Sequence, residues 1–255
     1  MATKNVIIMT TGSSGSSVLA GTIALKGYWL GEKTKKLKFD TYENAELVDL
    51  NKEILLLSGF NHHDCNDIPP PSVTDIKRLL DKIDISKYQA FIAKCDTHGP
   101  WLWKDPRLSY TIHFWGKILN LNKVNFIFIE RDAKQSYTGL ILKRKVPMSF
   151  MQHGLMNNNY NQSCLQFYRN NALPYLHINF QDLITFPDHY LKRIGKFLDI
   201  DLNLSDLQKI YNGDLYKKRF STLNYYQARL FYLGYRYWRR DFVRFPRRNL
   251  FCCSR

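Results

Sequence analysis

The sequence predicts an α/β fold: a single domain with a mainly parallel sheet flanked by helices. Short apolar runs rich in β-branched residues alternate with segments whose apolar residues recur at helical spacing. The chain has 255 residues, 45% of them hydrophobic, and is therefore long enough to bury a substantial core. The first apolar run passes through a turn of small residues straight into a helical pattern, which is typical of doubly wound sheets.

The strands are predicted from short apolar runs. Residues 6–9 form a continuous β-branched run, typical of a buried parallel strand. Residues 124–129 are the clearest strand, because β-branched and aromatic residues stand between polar boundaries, and residues 175–180 are similar. Residues 88–93 are a further candidate strand, and 101–107 read as a strand end or loop.

The helices are predicted from apolar residues that recur every three or four positions. Residues 18–25 show this spacing, and Gly27 follows as a helix stop. The proline-rich stretch 67–73 is predicted to be a rigid loop. We expect one domain over residues 1–222 and a basic, aromatic, helical segment over 223–255. The remaining predicted helices cover 42–57, 73–83, 108–119, 134–142, 149–172, 189–198 and 205–211.

The turn between the first strand and the first helix is a candidate anion site. It contains, in order, Gly12, Ser13, Ser14, Gly15, Ser16 and Ser17. The two glycines permit positive φ and a close approach of the backbone, and the hydroxyls and first helical amides then face one concavity at the positive end of a helix. A flexible linker is the alternative, although linkers rarely separate two core segments. No lysine follows Gly15, so the turn is not a Walker A loop.

Charge and cysteine content limit the class of protein. The net charge of +15 predicts an anionic partner such as a nucleotide, nucleic acid, acidic glycan or membrane surface. Residues 221–255 contain eight arginines and one aspartate, and so contribute +7.

No run of 18 apolar residues occurs, and residues 1–5 lack the layout of a signal peptide. The five cysteines show neither metal spacing nor an even framework, so we expect reduced thiols and a cytoplasmic protein.

Three polar segments directly follow predicted strands: TTGSSGSS (10–17), KDPR (104–107) and ERD (130–132). Because ligands of parallel sheets bind at the carboxyl ends of the strands, we expect these segments to converge.

The chain resembles the sulfotransferases that use 3′-phosphoadenylyl sulfate (PAPS), in particular bacterial glycan-type homologues. The glycine-serine turn resembles their 5′-phosphosulfate loop, and WKDPRL (103–108) matches a Lys-Asp-Pro-Arg signature of that group. NFIFIERDAKQSYTGL (125–140) resembles the strand, arginine and helix that hold the 3′-phosphate. TYENAELVDLNKEIL (41–55) and INFQDLITFPDHYLKRIGKFLDI (178–200) resemble two further family segments, and all five occur in the family's order.

The resemblance implies a fold similar to nucleotide kinases and transfer of a sulfuryl group from PAPS to a hydroxyl or amine of a carbohydrate or other small acceptor, without a metal. Glu43 is the candidate base for the acceptor proton, and Lys104 the candidate cation at the leaving phosphate. The candidate cofactor residues are the turn residues 12–17, Arg131, Ser136, Thr138, Gly139 and Arg219. The candidate acceptor residues are Glu46, His62, His63 and Arg107. Residues 62–65 (His-His-Asp-Cys) are types that can bind a metal ion, but we expect them to form a solvated loop instead.

Two positions depart from the family pattern. The family has Lys or Arg just before the Ser-Gly of its turn, where this chain has Ser13. Lys104, or one of three lysines at 35, 36 and 38, is the candidate replacement. The family also has a serine eight residues after its phosphate-binding arginine, where this chain has Gly139. Thr138, Ser136 or a backbone N–H is the candidate replacement there.

Each candidate also has a structural interpretation. Glu43 fits the first turn of a solvent-facing helix, where the dipole favours an acid, and Glu46 is the second candidate base one turn away. Lys104 could serve only as the ion-pair partner of Asp105. Arg107 could start a helix and brace the sheet. The basic residues 217–219 either close over the 3′-phosphate or form a solvated turn.

The sequence is also compatible with other functions. A non-catalytic PAP- or anion-binding homologue is motivated by Ser13 and Gly139. A nucleotide kinase of similar fold is disfavoured because the Gly-Lys-Ser/Thr motif is missing. The mixture of aromatic residues and arginines in the tail is a cue for nucleic-acid binding, but no recognised module accompanies it, so no such partner is expected.

The tail at 225–248 predicts peripheral contact with an anionic membrane, which would lie at the inner membrane surface. Four apolar residues share one helical face, and four arginines supply charge: Leu230, Leu233, Tyr237 and Trp238, and Arg229, Arg236, Arg239 and Arg240. The alternative is an ordinary C-terminal helix packed on the sheet.

Overall fold

A computed structural model of the chain describes residues 3–36, 40–60, 70–144, 146–211 and 222–242, without the side chains of 143–144 and 238–242. In chain order its elements are β1 (Asn5–Thr10), α1 (Ser16–Ala24), β2 (Thr34–Lys36), β3 (Asp40–Asn44), α2 (Ala45–Leu57), α3 (Val73–Arg78), α4 (Ser86–Thr97), β4 (Leu102–Lys104), α5 (Leu108–Trp115), β5 (Val124–Glu130), α6 (Ala133–Arg144), α7 (Phe150–Asn170), β6 (Tyr175–Asn179), α8 (Phe180–Thr185), α9 (Pro187–Leu198), α10 (Leu204–Ile210) and α11 (Thr222–Phe242).

The central sheet has four strands in the order β4-β1-β5-β6, and every pairing within it is parallel. A separate antiparallel hairpin is formed by β2 and β3. The predicted class, an α/β domain with a mainly parallel sheet, is confirmed. All four carboxyl ends of the parallel strands lie along one edge, which is where such sheets bind ligands.

Helices cover both faces of the sheet at its inner strands, which explains why β1 is continuously apolar. Along β1, Val6 and Ile8 belong to a buried cluster that includes residues of α1, α9 and α10, whereas Ile7 and Met9 belong to a second cluster with residues of α2, α4, α5 and α7. All four side chains are fully buried. A strand buried on both faces has no solvent side to alternate with, so it appears in the sequence as an unbroken run.

The candidate strand at 88–93 is wrong, because these residues lie in helix α4. The buried side chains are Tyr88, Phe91 and Cys95, whose spacing of three and four residues is that of a helix face. Residues 88–93 contain only about one and a half turns of this pattern. The aromatic and β-branched residues among them therefore resembled a strand.

The predicted helix over 42–57 begins later, at Ala45. Tyr42 has φ of 55°, which is incompatible with a helix, and Asp40–Asn44 pair as β3. The Asn44 side chain accepts hydrogen bonds from the backbone N–H groups of Glu46 and Leu47 and so caps α2. Glu43 therefore lies at the end of a strand rather than in the first turn of a helix.

The C-terminal helix α11 packs against α6. The ring of Tyr225 contacts those of Tyr137 and Phe150, and Ala228 is fully buried. The predicted helical tail is thus observed over Thr222–Phe242, while the division of the chain at 222/223 stays a prediction. In the part of the chain that the structure describes, no helix is both long and apolar enough to cross a bilayer.

Candidate functional site

The glycine-serine turn joins β1 to α1 and forms the floor of the candidate site. Gly15 is the N-cap of α1 with φ of 88°, and Ser13 also has a positive φ of 64°. No side chain caps the helix, and its first turn contains no acidic residue. Among the described residues, no side chain therefore caps the amides at this end of the helix, and the helix dipole favours an anion there.

Some residues of the turn are buried and hydrogen-bonded to one another, while others are partly exposed to solvent. The Thr10 and Ser14 hydroxyls share a short hydrogen bond, and Ser14 and Ser16 are buried. Gly12, Ser13 and Ser17 are partly exposed. A Cβ added at Gly12 would meet no atom within 4 Å, so open space lies beside the backbone there.

The aromatic ring of Phe180 lies beneath the turn. Phe180 begins α8 directly after β6, and a Cβ added to Gly15 would come within 2.2 Å of its ring. The Arg131 guanidinium carbon lies 5.4 Å from the centroid of the same ring, within the range of cation–π attraction. The packing of this ring thus joins the end of β5 to the turn after β1.

Gln135 accepts hydrogen bonds from Arg131, and it also accepts one from a second glutamine, Gln181. The Nε and Nη2 groups of Arg131 donate to Gln135 Oε1 over 3.4 and 3.3 Å. The side-chain amide of Gln181, which follows Phe180, donates to the same oxygen. Sequence reasoning missed Phe180, Gln135 and Gln181, although the position of Phe180 and Gln181 after a strong strand placed them at the carboxyl edge of the sheet.

Lys104 and Glu43 form a salt bridge beside the turn. Lys104 Nζ lies 2.7 Å from Glu43 Oε1 and 3.3 Å from Ser17 Oγ. The Lys104 side chain is 1% exposed and that of Glu43 is 16% exposed. Because a buried ammonium requires a counter-charge or an anionic ligand, this pair holds a cation close to the N-terminus of α1. The two site residues predicted as catalytic therefore come together here.

Asp105 is a partner of Arg107 and Asn51. The Arg107 guanidinium and backbone N–H donate to Asp105 Oδ1 over 3.0 and 3.1 Å, and Asn51 Nδ2 donates to Oδ2 over 2.8 Å. Asn51 Oδ1 in turn accepts from Thr111 Oγ1 and Trp115 Nε1. This buried network fixes the chain just after Lys104. Arg107 is the N-cap residue of α5, so its bracing role has direct geometric support.

Glu46 lies in the first turn of α2 but pairs across the surface with Lys94 of α4, at 2.8 Å. Its side chain is 46% exposed. Exposed pairs of this kind contribute little stability. Glu46 and Glu43 are therefore in clearly different environments, although they are three residues apart.

The three candidates on α6 also differ. Ser136 is buried; its hydroxyl lies 3.1 Å from His153 Nε2 of α7 and donates to the Ala133 carbonyl over 3.3 Å. Burial lowers the pKa of His153 to about 4. The Ser136 side chain is thus part of the α6–α7 packing. Thr138 and Gly139 are partly exposed, and the Thr138 hydroxyl donates to the Lys134 carbonyl.

Several predicted residues fall outside the described ranges. These are His62, His63, Lys38 and the basic group 217–219, which includes Arg219. Among the residues that are described, no three side chains of His, Cys, Asp or Glu lie close enough together to hold a metal ion.

No protein-family model and no curated protein matches this chain. Solved structures do match it. The sulfotransferase domain from the Synechococcus PCC 7002 olefin synthase is 18% identical with a TM-score of 0.51, over 88% of this chain and 82% of that one. The sulfotransferase domain from the curacin biosynthetic pathway is 18% identical with a TM-score of 0.52, over 83% and 78% of the two chains. The chain therefore has the fold of these sulfotransferase domains, as the resemblance implied.

Proposed function

We propose that the protein is a PAPS-dependent sulfotransferase that transfers a sulfuryl group to a hydroxyl or amine of a carbohydrate or other small acceptor. The observation that carries this proposal is the contact of buried Lys104 with both Glu43 and Ser17, at the uncapped N-terminus of α1. The arrangement puts a candidate base, a cation and an anion-binding helix end within hydrogen-bonding reach of one another. The sulfotransferase domains of similar fold support the same chemistry.

The residues of the turn fit the 5′ end of PAPS. The amides after Gly15 offer donors to a phosphate or sulfate, and the open space beside Gly12 leaves room for it. Arg131 lies at the carboxyl end of the neighbouring strand and is the candidate for the 3′-phosphate. Thr138, the amide of Gly139 and Arg219 are further candidates for that group. Ser136 is the weaker candidate because its hydroxyl is engaged with α7.

The reaction moves a sulfuryl group in line from the donor phosphate to the acceptor. PAPS supplies the activated sulfur–oxygen bond, which breaks as the bond from sulfur to the acceptor oxygen forms. Glu43 takes the proton from the acceptor hydroxyl, since its carboxylate keeps an exposed portion beside the turn. Lys104 donates a hydrogen bond to the phosphate oxygen on which negative charge develops.

Lys104 also accounts for the departure at Ser13. A basic residue is expected just before the Ser-Gly of the turn, and this chain has a serine there. Lys104 reaches the same turn from β4 through Ser17. The cation is thus supplied by a different strand, which favours an active enzyme over the non-catalytic homologue that Ser13 and Gly139 otherwise suggest.

A cytoplasmic location is part of this proposal. The described chain contains two cysteines, Cys95 and Cys164, both buried and not disulfide-bonded. Burial raises the pKa of each thiol to about 12, so neither is a reactive thiolate at neutral pH. Reduced buried thiols are typical of a cytoplasmic protein.

The proposal is tested by replacing the two neighbouring glutamates. Glu43→Gln is expected to bind PAP as the parent does and to lose sulfuryl transfer by about 10²- to 10⁴-fold, because the base is removed. Glu46→Gln is the matched control and should transfer at the parent rate, since Glu46 pairs with Lys94. The measurement is single-turnover transfer from PAPS labelled in the sulfuryl group, to a panel of monosaccharides and 4-nitrophenyl glycosides.

The alternatives predict different results in the same assay. If Glu43→Gln transfers at the parent rate, Glu43 is not the base; if only Glu46→Gln is slow, Glu46 takes that role. A parent protein that binds PAP but transfers to no acceptor would indicate the non-catalytic homologue. Binding of ATP in place of PAP would indicate a kinase. Lys104→Ala should lower the rate more than it weakens PAP binding, because its charge acts on the transition state.

A further inference from the structure

Helix α11 has two apolar faces, and within the described parts of the chain only one of them is used in packing. The packed face contains Ala228, which is fully buried, and Tyr225, whose ring contacts α6 and α7. The residues of this face are Asn224, Tyr225, Ala228, Tyr232 and Tyr235, all partly or fully buried. Their spacing of three and four residues places them on one side of the helix.

A second apolar stripe lies nearly opposite the packed face. It consists of Leu223, Tyr226, Leu230, Leu233 and Tyr237, and every one of these side chains is more than half exposed. Their spacing of three, four, three and four residues confines them to a sector of about 80° around the helix axis. The stripe is continuous over most of the helix, unlike the single exposed apolar residues that any surface carries.

The charged side chains described on α11 beside the stripe are arginines. Arg229 and Arg236 are exposed on its flank, and their guanidinium groups lie about 6 Å from the rings of Tyr225 and Tyr232. From residue 221 to 255 the sequence contains eight arginines, one aspartate, and neither lysine nor glutamate. Any surface that covers the stripe therefore meets Arg229 and Arg236, within a segment whose sequence has a net charge of +7, and an anionic surface is complementary to this charge.

We propose that this stripe docks on an anionic lipid bilayer, with α11 lying in the plane of the membrane surface and the packed face still attached to the domain. The leucines would enter the boundary between headgroups and acyl chains, and the arginines would pair with lipid phosphates. Tyr226 and Tyr237 suit this depth because each has an apolar ring and a polar hydroxyl. The proposal involves no step of sulfuryl transfer and is independent of the proposed function.

A second copy of the chain is a less suitable occupant of the stripe. Helices that pair through a seam with this spacing usually place opposite charges along its borders. Here the described borders contain Arg229 and Arg236, and the segment from 221 to 240 has no acidic residue. Two copies would therefore bring like charges together. An anionic bilayer neutralises them instead.

The test is co-sedimentation of the full-length chain with vesicles of phosphatidylcholine alone and of phosphatidylcholine with phosphatidylglycerol. Binding is expected to the anionic vesicles. The double variant Leu230→Gln/Leu233→Gln should weaken it by about tenfold or more, because two apolar side chains are lost from the buried surface. The matched control is Leu56→Gln/Leu57→Gln on α2, whose side chains are similarly exposed and which should bind like the parent.

Substitution of the arginines separates the electrostatic contribution to vesicle binding from that of the apolar stripe. Arg229→Gln/Arg236→Gln should weaken binding to the anionic vesicles by about 25-fold, at about fivefold for each arginine. Arg169→Gln/Arg193→Gln removes the same charge from exposed positions on other helices and should bind like the parent. The proposal is overturned if the parent does not pellet with anionic vesicles, or if either control pair loses as much binding as its test pair. It is also overturned if sedimentation velocity shows a dimer that Leu230→Gln/Leu233→Gln dissociates, because a second copy then covers the stripe.

Discussion

At the scale of the residue, both the backbone conformation and the packing at position 15 require a glycine. Its φ of 88° is a conformation that residues with a side chain rarely adopt. A Cβ at this position would also come within 2.2 Å of the buried Phe180 ring. Since Arg131 lies over the same ring, a shift of Phe180 would disturb the candidate phosphate-binding residue as well.

Gly15→Ala is therefore expected to lower the free energy of unfolding by about 2 to 4 kcal/mol, the combined cost of a left-handed alanine and an overpacked ring. Urea denaturation measures this change. Gly12→Ala is the matched control in the same turn. It has no positive φ and no neighbour within 4 Å, and should change stability by about 0.5 kcal/mol or less. Equal stability of the two variants would contradict the packing described here.

At the scale of the element, α7 is joined to its neighbours through two buried histidines. His113 of α5 contacts the backbone carbonyl and hydroxyl of Ser163 of α7, both at 3.2 Å. His153 of α7 contacts the Ser136 hydroxyl of α6. Burial lowers the pKa of both imidazoles to about 4, and for His113 the charge of Lys77 acts in the same direction. Both are therefore neutral at pH 7.

These two histidines predict a loss of stability in mild acid. Between pH 6.5 and 4 the unfolded chain binds protons that the folded chain does not, so the free energy of unfolding falls as the pH falls through this window. Each histidine should contribute about 2 kcal/mol of this loss by pH 5. Urea denaturation at pH 7.5 and pH 5 measures it.

Substitutions of single histidines show which of them causes the loss of stability in acid. His153→Gln should reduce the difference between the two pH values, because one titrating group is removed. His189→Gln, at an exposed position on α9, should leave the difference as it is in the parent. An unchanged difference in His153→Gln would show that the α6–α7 contact does not titrate as described.

At the scale of the whole molecule, the candidate site draws on every strand of the central sheet. The turn follows β1, Lys104 ends β4, Arg131 follows β5 and Phe180 follows β6. Glu43 comes from the separate β2–β3 hairpin. A ligand that contacts these residues at once would connect elements from most of the chain, so its binding should stabilise the fold as a unit.

PAP at 100 times its dissociation constant is expected to add about 2.7 kcal/mol to the free energy of unfolding, which raises the melting temperature by about 5 to 10 °C. Arg131→Ala should weaken PAP binding more than tenfold through loss of a charge-assisted contact. Arg193→Ala is the control, because Arg193 is exposed and lies near the ring of Tyr190 on α9. No shift with saturating PAP, or an equal shift with ATP, would contradict the cofactor assignment.

Most of the fold could be predicted from the sequence because its signals are local. Three of the four parallel strands are predicted as short runs rich in apolar residues, β4 is predicted as a strand end or loop, and most of the helices show clear spacing. The errors have the same origin. Residues 88–93 are too few to reveal the period of α4, and the β2–β3 hairpin is held by pairing between segments rather than by apolar periodicity. The hairpin placed Glu43 on a strand, which helical propensity alone did not predict.

The sequence by itself determined the glycine-serine turn, the helix that follows it and the position of Arg131 after a strong strand, because each depends on neighbouring residues. Only the tertiary structure decided that Lys104 reaches Glu43 and Ser17, which are 61 and 87 residues away in the chain. It also decided that Phe180 fills the space beneath Gly15, and that Asp105 accepts a hydrogen bond from Asn51 of α2. These contacts arise from strand order and helix packing, and local sequence patterns do not encode the distance between side chains from separate elements.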